Sequence, residues 1–295
     1  MKNPVPRSDG GNAVPSADEL FGDGALERLR LNRTLAEAVE RLRADEARIA
    51  GRAGAVTRSG LLRAYAGIIA EDLSVSGLAL PDASYSDAHR LFEAVASLPV
   101  SPRTARARRK AREVARIAML SERGAVRVPA RVDDLHGLWE QAMCGEPRWS
   151  ADYPSSAFRT GGVEVRSGWP ERTLLHSCME PSEMPTWLGR LVALLADERY
   201  APEVRAACGL GLHDWIHPFV DGNGHTGRLL MLAALDGHST QPTLVCLARE
   251  LVVNRGTTME LFAQLRNREA DAAGFCLGLL GQARTAQERA MDILA

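Results

Sequence analysis

Two apolar helical segments of this chain are separated by a short turn that no helix can run through. Pro218 directly follows His217, and a proline inside a helix removes a backbone hydrogen bond, so the helix before it must end there. A Gly-Asn-Gly run follows at 222–224, and these residue types tolerate left-handed backbone. The pattern predicts a helix over 202–216, a glycine-rich turn, and a second helix that begins near His225.

The turn brings together residue types that bind phosphate and react at it. Successive N–H groups of the glycine-rich run and of the next helix start form an anion site. Arg228 can donate a forked hydrogen bond to a further phosphate oxygen. Asp221 only accepts, and a carboxylate beside bound phosphates is a natural ligand of Mg²⁺. His217 titrates near neutrality and can take a proton from a hydroxyl that attacks phosphorus.

Each part of this pattern also has a plainer interpretation. Gly-Asn-Gly is a common turn, a single histidine is more often a hydrogen-bonded structural residue, and Phe219 is expected to point inward and hold the turn against the core. His213 and His217 also stand four residues apart, as zinc ligands do in some hydrolases. However, Pro218 ends the helix where such a site needs continuity. The combination of base, acid, glycines and arginine therefore favours phosphate chemistry.

The composition excludes several other classes of protein. The formal net charge is −1 and aromatic residues make up 5%, so neither nucleic acid nor an acidic membrane is an expected partner. No run of eighteen apolar residues predicts a membrane span, and no secretory signal is seen. The five cysteines have no CxxC spacing. A reducing cytoplasm, or delivery into a host cell, fits this usage.

A strongly basic helix is predicted after Pro102, with basic residues from Arg103 to Arg116. It could be an anion or nucleic-acid surface, or a solvated helix face that balances nearby acids. Because no aromatic residue is interleaved, the solvated face is favoured.

The chain divides into three predicted regions with mainly helical character. Residues 1–24 are rich in Gly, Pro, Ser and Asp and are expected to be a disordered tail. Residues 25–125 form a helical N-terminal region, and 126–295 form the domain that holds the turn. Apolar and charged residues alternate in Val163–Arg166, which predicts one β-hairpin with the segment Thr173–His176.

At residues 217–228 the chain resembles the Fic family, whose signature is His-x-Phe-x-Asp/Glu-Gly-Asn-Gly-Arg-x-x-Arg. Every defined position agrees except one, where His225 replaces the first arginine. The resemblance extends to the hairpin, which would be the flap of such proteins, and to 244–255. It implies a Fic-like helical bundle over 126–295 with one β-hairpin flap and a helical N-terminal extension.

The resemblance implies transfer of a nucleotide monophosphate, usually AMP from ATP, to a hydroxyl of a protein target. It makes His217 the catalytic base and Asp221 the Mg²⁺ ligand. It assigns nucleotide binding to Phe219, Gly222, Asn223, Gly224, His225, Gly227 and Arg228. The flap, around residues 162–176, would hold the target by strand addition. An accessory protein or a homodimer is a further expected partner.

Two departures from the family pattern leave alternatives open. His225 offers at most one charge where an arginine offers a permanent fork, so the enzyme could use another diphosphate-containing donor or a small-molecule acceptor, or be a non-catalytic binding module. Many Fic proteins also carry an inhibitory Ser/Thr-x-x-x-Glu-Gly/Asn helix whose glutamate occupies the second arginine. No such string occurs. The nearest candidate places Ser76 at the glutamate position, and the structural alternative there is a loop after a helix.

Overall fold

The computed structural model describes residues 16–81, 85–101, 103–144, 157–166 and 174–295, and this part of the chain is mainly helical. The helices are α1 (Ala17–Phe21), α2 (Asp23–Arg30), α3 (Arg33–Ala53), α4 (Arg58–Ser74), α5 (Ala88–Ala96), α6 (Ala105–Glu122), α7 (Asp134–Met143), α8 (Met184–Ala196), α9 (Pro202–Ile216), α10 (Asn223–Leu235), α11 (Gln241–Val253), α12 (Arg255–Arg266) and α13 (Ala272–Ile293). The strands are β1 (Glu164–Arg166) and β2 (Leu174–Ser177).

Helices α9 and α10 lie at the centre of the molecule. Each of these helices buries residues on almost every side. A helix that is apolar all round is stable only when neighbouring elements surround it. Helix α9 packs against α8, α10 and α13, and α10 also packs against α7 and α11. The turn between the two central helices, residues 217–222, is therefore held by enclosed elements.

The helices before residue 126 pack onto those after it. Helix α3 buries one apolar stripe, from Leu35 at 1% exposed to Ile49 at 0%, and it packs against α13. Helix α6 packs against α11, and Arg249 donates two hydrogen bonds to the carboxylate of Asp72 at 3.0 and 2.7 Å. The predicted N-terminal region and the domain after it thus share one core.

The predicted disordered tail is wrong for residues 17–24. Ser16 caps α1 through a reciprocal pair of hydrogen bonds with Glu19, and Leu20 and Phe21 are 7% and 2% exposed. Because the residues around it are mostly polar, the short apolar segment Ala17–Phe21 was not recognised as a helix. Its stability comes from burial against the core. Residues 1–15 lie outside the described part of the chain.

The basic helix α6 differs from the predicted solvated face. Arg112 and Arg116 are 3% and 1% exposed, and Nη1 of Arg116 donates to the carbonyl of Ala142. The prediction is wrong for these two residues because α6 is covered by α4, α5 and α11. Hydrogen bonds to backbone carbonyls help a guanidinium to be buried.

The predicted hairpin is seen only in part. Strands β1 and β2 pair antiparallel with Glu164 opposite Ser177, and the N–H of Cys178 donates to the carbonyl of Val163 at 2.9 Å. Residues 167–173, which would form its tip, lie outside the described residues, so the flap as a whole is not shown.

Within the described ranges, no helix combines the length and the apolar character needed to cross a lipid bilayer. Helix α13 is long enough at 22 residues, but charged side chains such as Arg284 and Glu288 interrupt it.

Replacing Phe21 with alanine tests whether α1 belongs to the folded core. Removing a buried phenylalanine ring leaves a cavity, so the free energy of unfolding should fall by about 3 kcal/mol. Chemical denaturation measures this change. Val75→Ala is the control, because Val75 is 88% exposed and should leave stability unchanged. A Phe21→Ala variant as stable as wild type would contradict the packing of α1.

Candidate functional site

The turn after α9 depends on two residues with left-handed backbone. His217 ends the helix at φ 51° and ψ 60°, and its N–H donates to the carbonyl of His213 at 2.8 Å. Gly222 follows at φ 84°, where a Cβ would lie 2.7 Å from Nε1 of Trp139. Of the three residues 222–224 that tolerate left-handed backbone, only Gly222 adopts it, because α10 begins at Asn223, two residues earlier than expected.

The side chain of Asn223 closes this turn on itself. Its Oδ1 accepts from the N–H of Phe219 at 2.9 Å, and its Nδ2 donates to the carbonyl of Phe219 at 2.7 Å. Asn223 is 4% exposed, so both bonds are shielded from water. The amide side chain thus shapes the turn, and a ligand would meet the backbone N–H of Asn223 rather than its side chain.

Phe219 and Gly227 support the site from the side of the protein core. Phe219 is 1% exposed, as expected for a residue that anchors the turn, and its ring lies 5.5 and 6.0 Å from those of Phe158 and Trp139. A Cβ on Gly227 would lie 3.1 Å from Nδ1 of His213, so Gly227 allows α9 and α10 to approach closely. Neither lines the cavity beside the turn, so both support the site without facing a ligand.

The first turn of α10 presents free backbone donors. The N–H groups of Asn223, Gly224 and His225 have no acceptor among the described residues, and the first intrahelical bond runs from Thr226 to the carbonyl of Gly222 at 2.9 Å. Gly222, the N-cap, supplies no side-chain cap. Free donors at the start of a helix, together with the helix dipole, favour a bound anion.

A cavity of about 70 Å³ lies beside these donors. Its polar wall includes His217, Asn223, Gly224 and Arg228, which are brought together as predicted. Arg255, the first residue of α12, also lines it and was not among the predicted site residues. The apolar wall consists of Leu210, Leu251, Met259 and Phe262.

The imidazole of His217 is held as a neutral base. Burial lowers its pKa below the usual 6.5; the carboxylate of Asp214 works against this shift, and the charges of Arg159 and Arg266 add to it. A neutral imidazole can accept a proton at pH 7.

His213 does not form a metal site with His217. It is 0% exposed, and neither ring nitrogen has a hydrogen-bond partner in the described structure. Burial, with a smaller effect of His217, lowers the pKa of His213 to about 3. No group of three or more His, Cys, Asp or Glu side chains in the described residues could hold a metal ion. The geometry gives the zinc-hydrolase alternative no support.

Glu113, on α6, contacts both predicted cations of the turn. Its two oxygens accept from Nε and Nη2 of Arg228 at 2.6 and 3.0 Å, and Nδ1 of His225 lies 3.1 Å from Oε2. Burial alone would raise the pKa of the Glu113 carboxyl, but Arg228 and His225 outweigh it and hold this pKa well below its usual range. The carboxylate is ionised and occupies the fork that a phosphate would use.

Residues 75–77 form a turn after α4, which is the structural alternative that the sequence left open for Ser76. The carboxylate that contacts Arg228 is instead Glu113, on α6. The string around it reads Arg-Lys-Ala-Arg-Glu-Val, without the serine or threonine and the glycine or asparagine of the family pattern. The only sequence signal was a single acid, Glu113, within the basic stretch 103–116.

Asp221 lies at the exposed rim of the turn. Its Oδ1 accepts from the N–H of Gly222 at 2.6 Å, and its backbone carbonyl accepts from Nε1 of Trp139 at 2.9 Å. In the described structure Oδ2 has no protein partner, so it remains available to a cation. One carboxylate suits Mg²⁺ that is carried by phosphates, because such Mg²⁺ keeps waters and phosphate oxygens as its other ligands.

Comparisons with known proteins agree with this geometry. Residues 133–235 match the model of the Fic/DOC family, so the whole turn lies in a Fic/DOC segment and the resemblance seen in the sequence is confirmed. No curated protein matches the chain.

Two solved structures share the fold. A Fic family protein from Desulfovibrio desulfuricans G20 superposes with a TM-score of 0.59 at 21% identity, over 86% of this chain and 74% of that chain. A Fic domain containing signaling protein from Bacteroides thetaiotaomicron VPI-5482 superposes with a TM-score of 0.50 at 14% identity, over 86% of this chain and 97% of that chain. At these identities the likeness concerns the fold alone.

The buried histidines should make the protein less stable in mild acid. Because the folded-state pKa values of His213 and His217 lie below 6.5, the unfolded chain binds protons first as the pH falls. Stability should therefore decline from about pH 6.5 to about pH 5, by up to about 1.4 kcal/mol per pH unit for each histidine. Urea denaturation across this range measures the slope. His213→Leu should flatten it, and an unchanged slope would show that His213 does not contribute.

Glu113→Gln should weaken the fold and open the anion site. The variant leaves the guanidinium of Arg228, whose side chain is 14% exposed, without its charged partner, which costs about 3 kcal/mol of stability. The affinity for inorganic pyrophosphate should rise about tenfold or more, because the anion no longer competes with a carboxylate. Calorimetry measures both changes. Glu93→Gln, an exposed glutamate on α5, is the control; equal pyrophosphate affinity in both variants would contradict competition.

Proposed function

We propose that this protein is a nucleotidyltransferase that moves a nucleotide monophosphate, in the first instance AMP from ATP, to a hydroxyl group of a protein. The observation that carries the proposal is the neutral imidazole of His217 at the wall of one cavity with the free donors of α10. A base for an alcohol and a site for phosphate oxygens at one turn are the two requirements of phosphoryl transfer to a hydroxyl.

In the reaction, His217 accepts the proton of the hydroxyl as its oxygen attacks the α-phosphorus. The new bond joins that oxygen to the phosphorus, and the bond to the pyrophosphate oxygen breaks. Pyrophosphate leaves with the electron pair, and the proton remains on the imidazole until solvent removes it. The depressed pKa of His217 keeps the imidazole free of a proton beforehand.

The donor's phosphates would be held by backbone and arginine. The N–H groups of residues 223–225 would bind the phosphates nearest the reacting phosphorus, and Arg228 would bind an outer phosphate once Glu113 withdraws. His225 would then add at most one positive charge. Asp221 would hold Mg²⁺, which supplies neutralisation of the phosphate charge when bound.

The cavity must widen before a nucleotide enters. Its volume of about 70 Å³ is far below the several hundred Å³ of ordinary small-molecule pockets. Glu113 stands where an outer phosphate would bind, so its displacement both frees Arg228 and removes a negative charge from the site. Binding of a nucleotide would therefore require the Glu113 side chain, on α6, to move.

The target would be bound as an added strand. Strands β1 and β2 form a pair whose outer backbone groups can bond to an extended segment, which suits a flap around residues 162–176. Such binding uses backbone atoms and so leaves the target's sequence weakly specified.

The replacement of the family's first arginine by His225 favours a second candidate. A weaker charge at this position would suit a different diphosphate-containing donor, a small-molecule acceptor, or binding without catalysis. These alternatives keep the same fold and differ in what is transferred.

The proposed function is tested with His217→Ala. The protein and the Glu113→Gln variant are incubated with Mg²⁺, a panel of nucleotides and a protein extract, and mass spectrometry identifies any modified protein. Removal of the base should lower transfer by a factor of about a hundred or more, while circular dichroism shows an unchanged fold. His238→Ala is the control, because His238 lies on the exposed turn at the other end of α10.

The outcomes separate the candidates. Transfer that survives in His217→Ala removes the base assignment. A group other than AMP on the target identifies another donor. Tight nucleotide binding without transfer, in either the protein or Glu113→Gln, favours the binding module, and absence of both binding and transfer ends the proposal.

A further inference from the structure

Arg159 is a buried arginine that touches the turn without belonging to the signature. It is 4% exposed, and no carboxylate pairs with it among the described residues. A buried guanidinium is costly unless its donors are satisfied. The partners of its hydrogen bonds therefore show which parts of the structure the Arg159 guanidinium connects.

Two of its bonds hold the end of α9 at the base. Nε donates to the carbonyl of His217 at 2.7 Å, and Nη2 donates to the carbonyl of Ile216 at 3.0 Å. The backbone N–H of Arg159 also donates to the carbonyl of Pro218 at 2.8 Å. The last carbonyls of a helix lack intrahelical partners and carry partial negative charge, so a cation there is stabilising.

Its other bonds hold both ends of the strand pair. Nη1 donates to the carbonyl of Gly161 at 2.7 Å, just before β1, and Nη2 donates to the carbonyl of Met179, just after β2. Phe158, the preceding residue, forms an antiparallel bridge with Phe219 of the turn. One planar group thus joins the base to both legs of the strand pair.

We propose that Arg159 is a positioning residue that sets the place of the His217 imidazole relative to the strand edge where the acceptor segment binds. The inference rests on the proposed function, in which β1 and β2 hold the target and His217 activates its hydroxyl. Arg159 touches neither reacting group. It acts through the carbonyls that it bonds.

The chemistry requires the fork of a guanidinium. Four side-chain bonds leave Arg159 in divergent directions in one plane, whereas a lysine ammonium concentrates its donors at one point and a glutamine amide is shorter. Arg159→Lys keeps the positive charge and loses the forked arrangement of donors, while Arg159→Gln loses both. Comparing the two variants separates the effect of the hydrogen-bond geometry from the effect of the charge.

The experiment compares both variants with Arg205→Lys. Arg205 is the matched control, because Nη1 of this partly buried arginine on α9 also donates to a backbone carbonyl, that of Leu195, at 2.9 Å. The kcat and the KM for the target are measured with the donor and target found above. The titration of His217 is followed by NMR with labelled histidine and without any nucleotide. Melting temperatures report on stability.

We expect kcat to fall by roughly 10- to 100-fold in both Arg159 variants, because a displacement of about 1 Å at a base has effects of this order. The KM for the target should change less than kcat. The titration of His217 should move toward its ordinary value, since water reaches a looser ring. Asp214 on α9 and Arg266 on α12 also act on His217 and are unchanged in the variants. Arg205→Lys should differ from wild type in none of these.

A kcat restored to within about threefold of wild type in Arg159→Lys would overturn the proposal and leave only an effect of charge. Wild-type kcat and titration in both variants, with only a lowered melting temperature, would show a purely structural role. If Arg159→Gln does not fold, Arg159→Lys alone decides through the same two readouts. The NMR titration needs no nucleotide, so it is independent of whether wild type transfers a nucleotide, which tests the proposed function.

Discussion

The double hydrogen bond between the side-chain amide of Asn223 and the backbone of Phe219 is the constraint on which the site depends. It closes the turn of residues 217–222 between two buried helices, and its own bonds are shielded from water. Phe219 is thereby drawn into the core, and the N–H groups at the start of α10 are left directed away from it. Because the side-chain amide of Asn223 closes the turn, the backbone N–H groups of residues 223–225 are not needed for this purpose.

Glu113 is a second constraint on the site, because one buried carboxylate contacts the side chains of both Arg228 and His225. Its ionisation depends on them: burial opposes the charge, and Arg228 and His225 outweigh burial. A phosphate would bring the same negative charge with more oxygens. Under the proposed function, such a phosphate would compete with the carboxylate for the fork of Arg228.

Arg159 shows how backbone geometry connects elements far apart in the chain. Its guanidinium bonds carbonyls before β1, after β2 and at the end of α9. Carbonyls carry no net charge, so these bonds give direction without neutralising the cation, and that cation helps to keep the nearby imidazole neutral. Arg159 therefore contributes both to the backbone geometry and to the electrostatics around His217.

The sequence alone predicted the helix break at His217–Pro218, the glycine-rich turn and the start of a helix just after it, because each follows from local backbone preferences and periodicity. It could not show that Glu113 meets Arg228 or that Arg255 reaches the cavity, since those residues lie 115 and 27 positions from Arg228. It also missed α1, whose short apolar segment is helical only against the core. Long-range packing decided these features, because contacts between distant segments depend on how whole helices fit together and leave no local pattern.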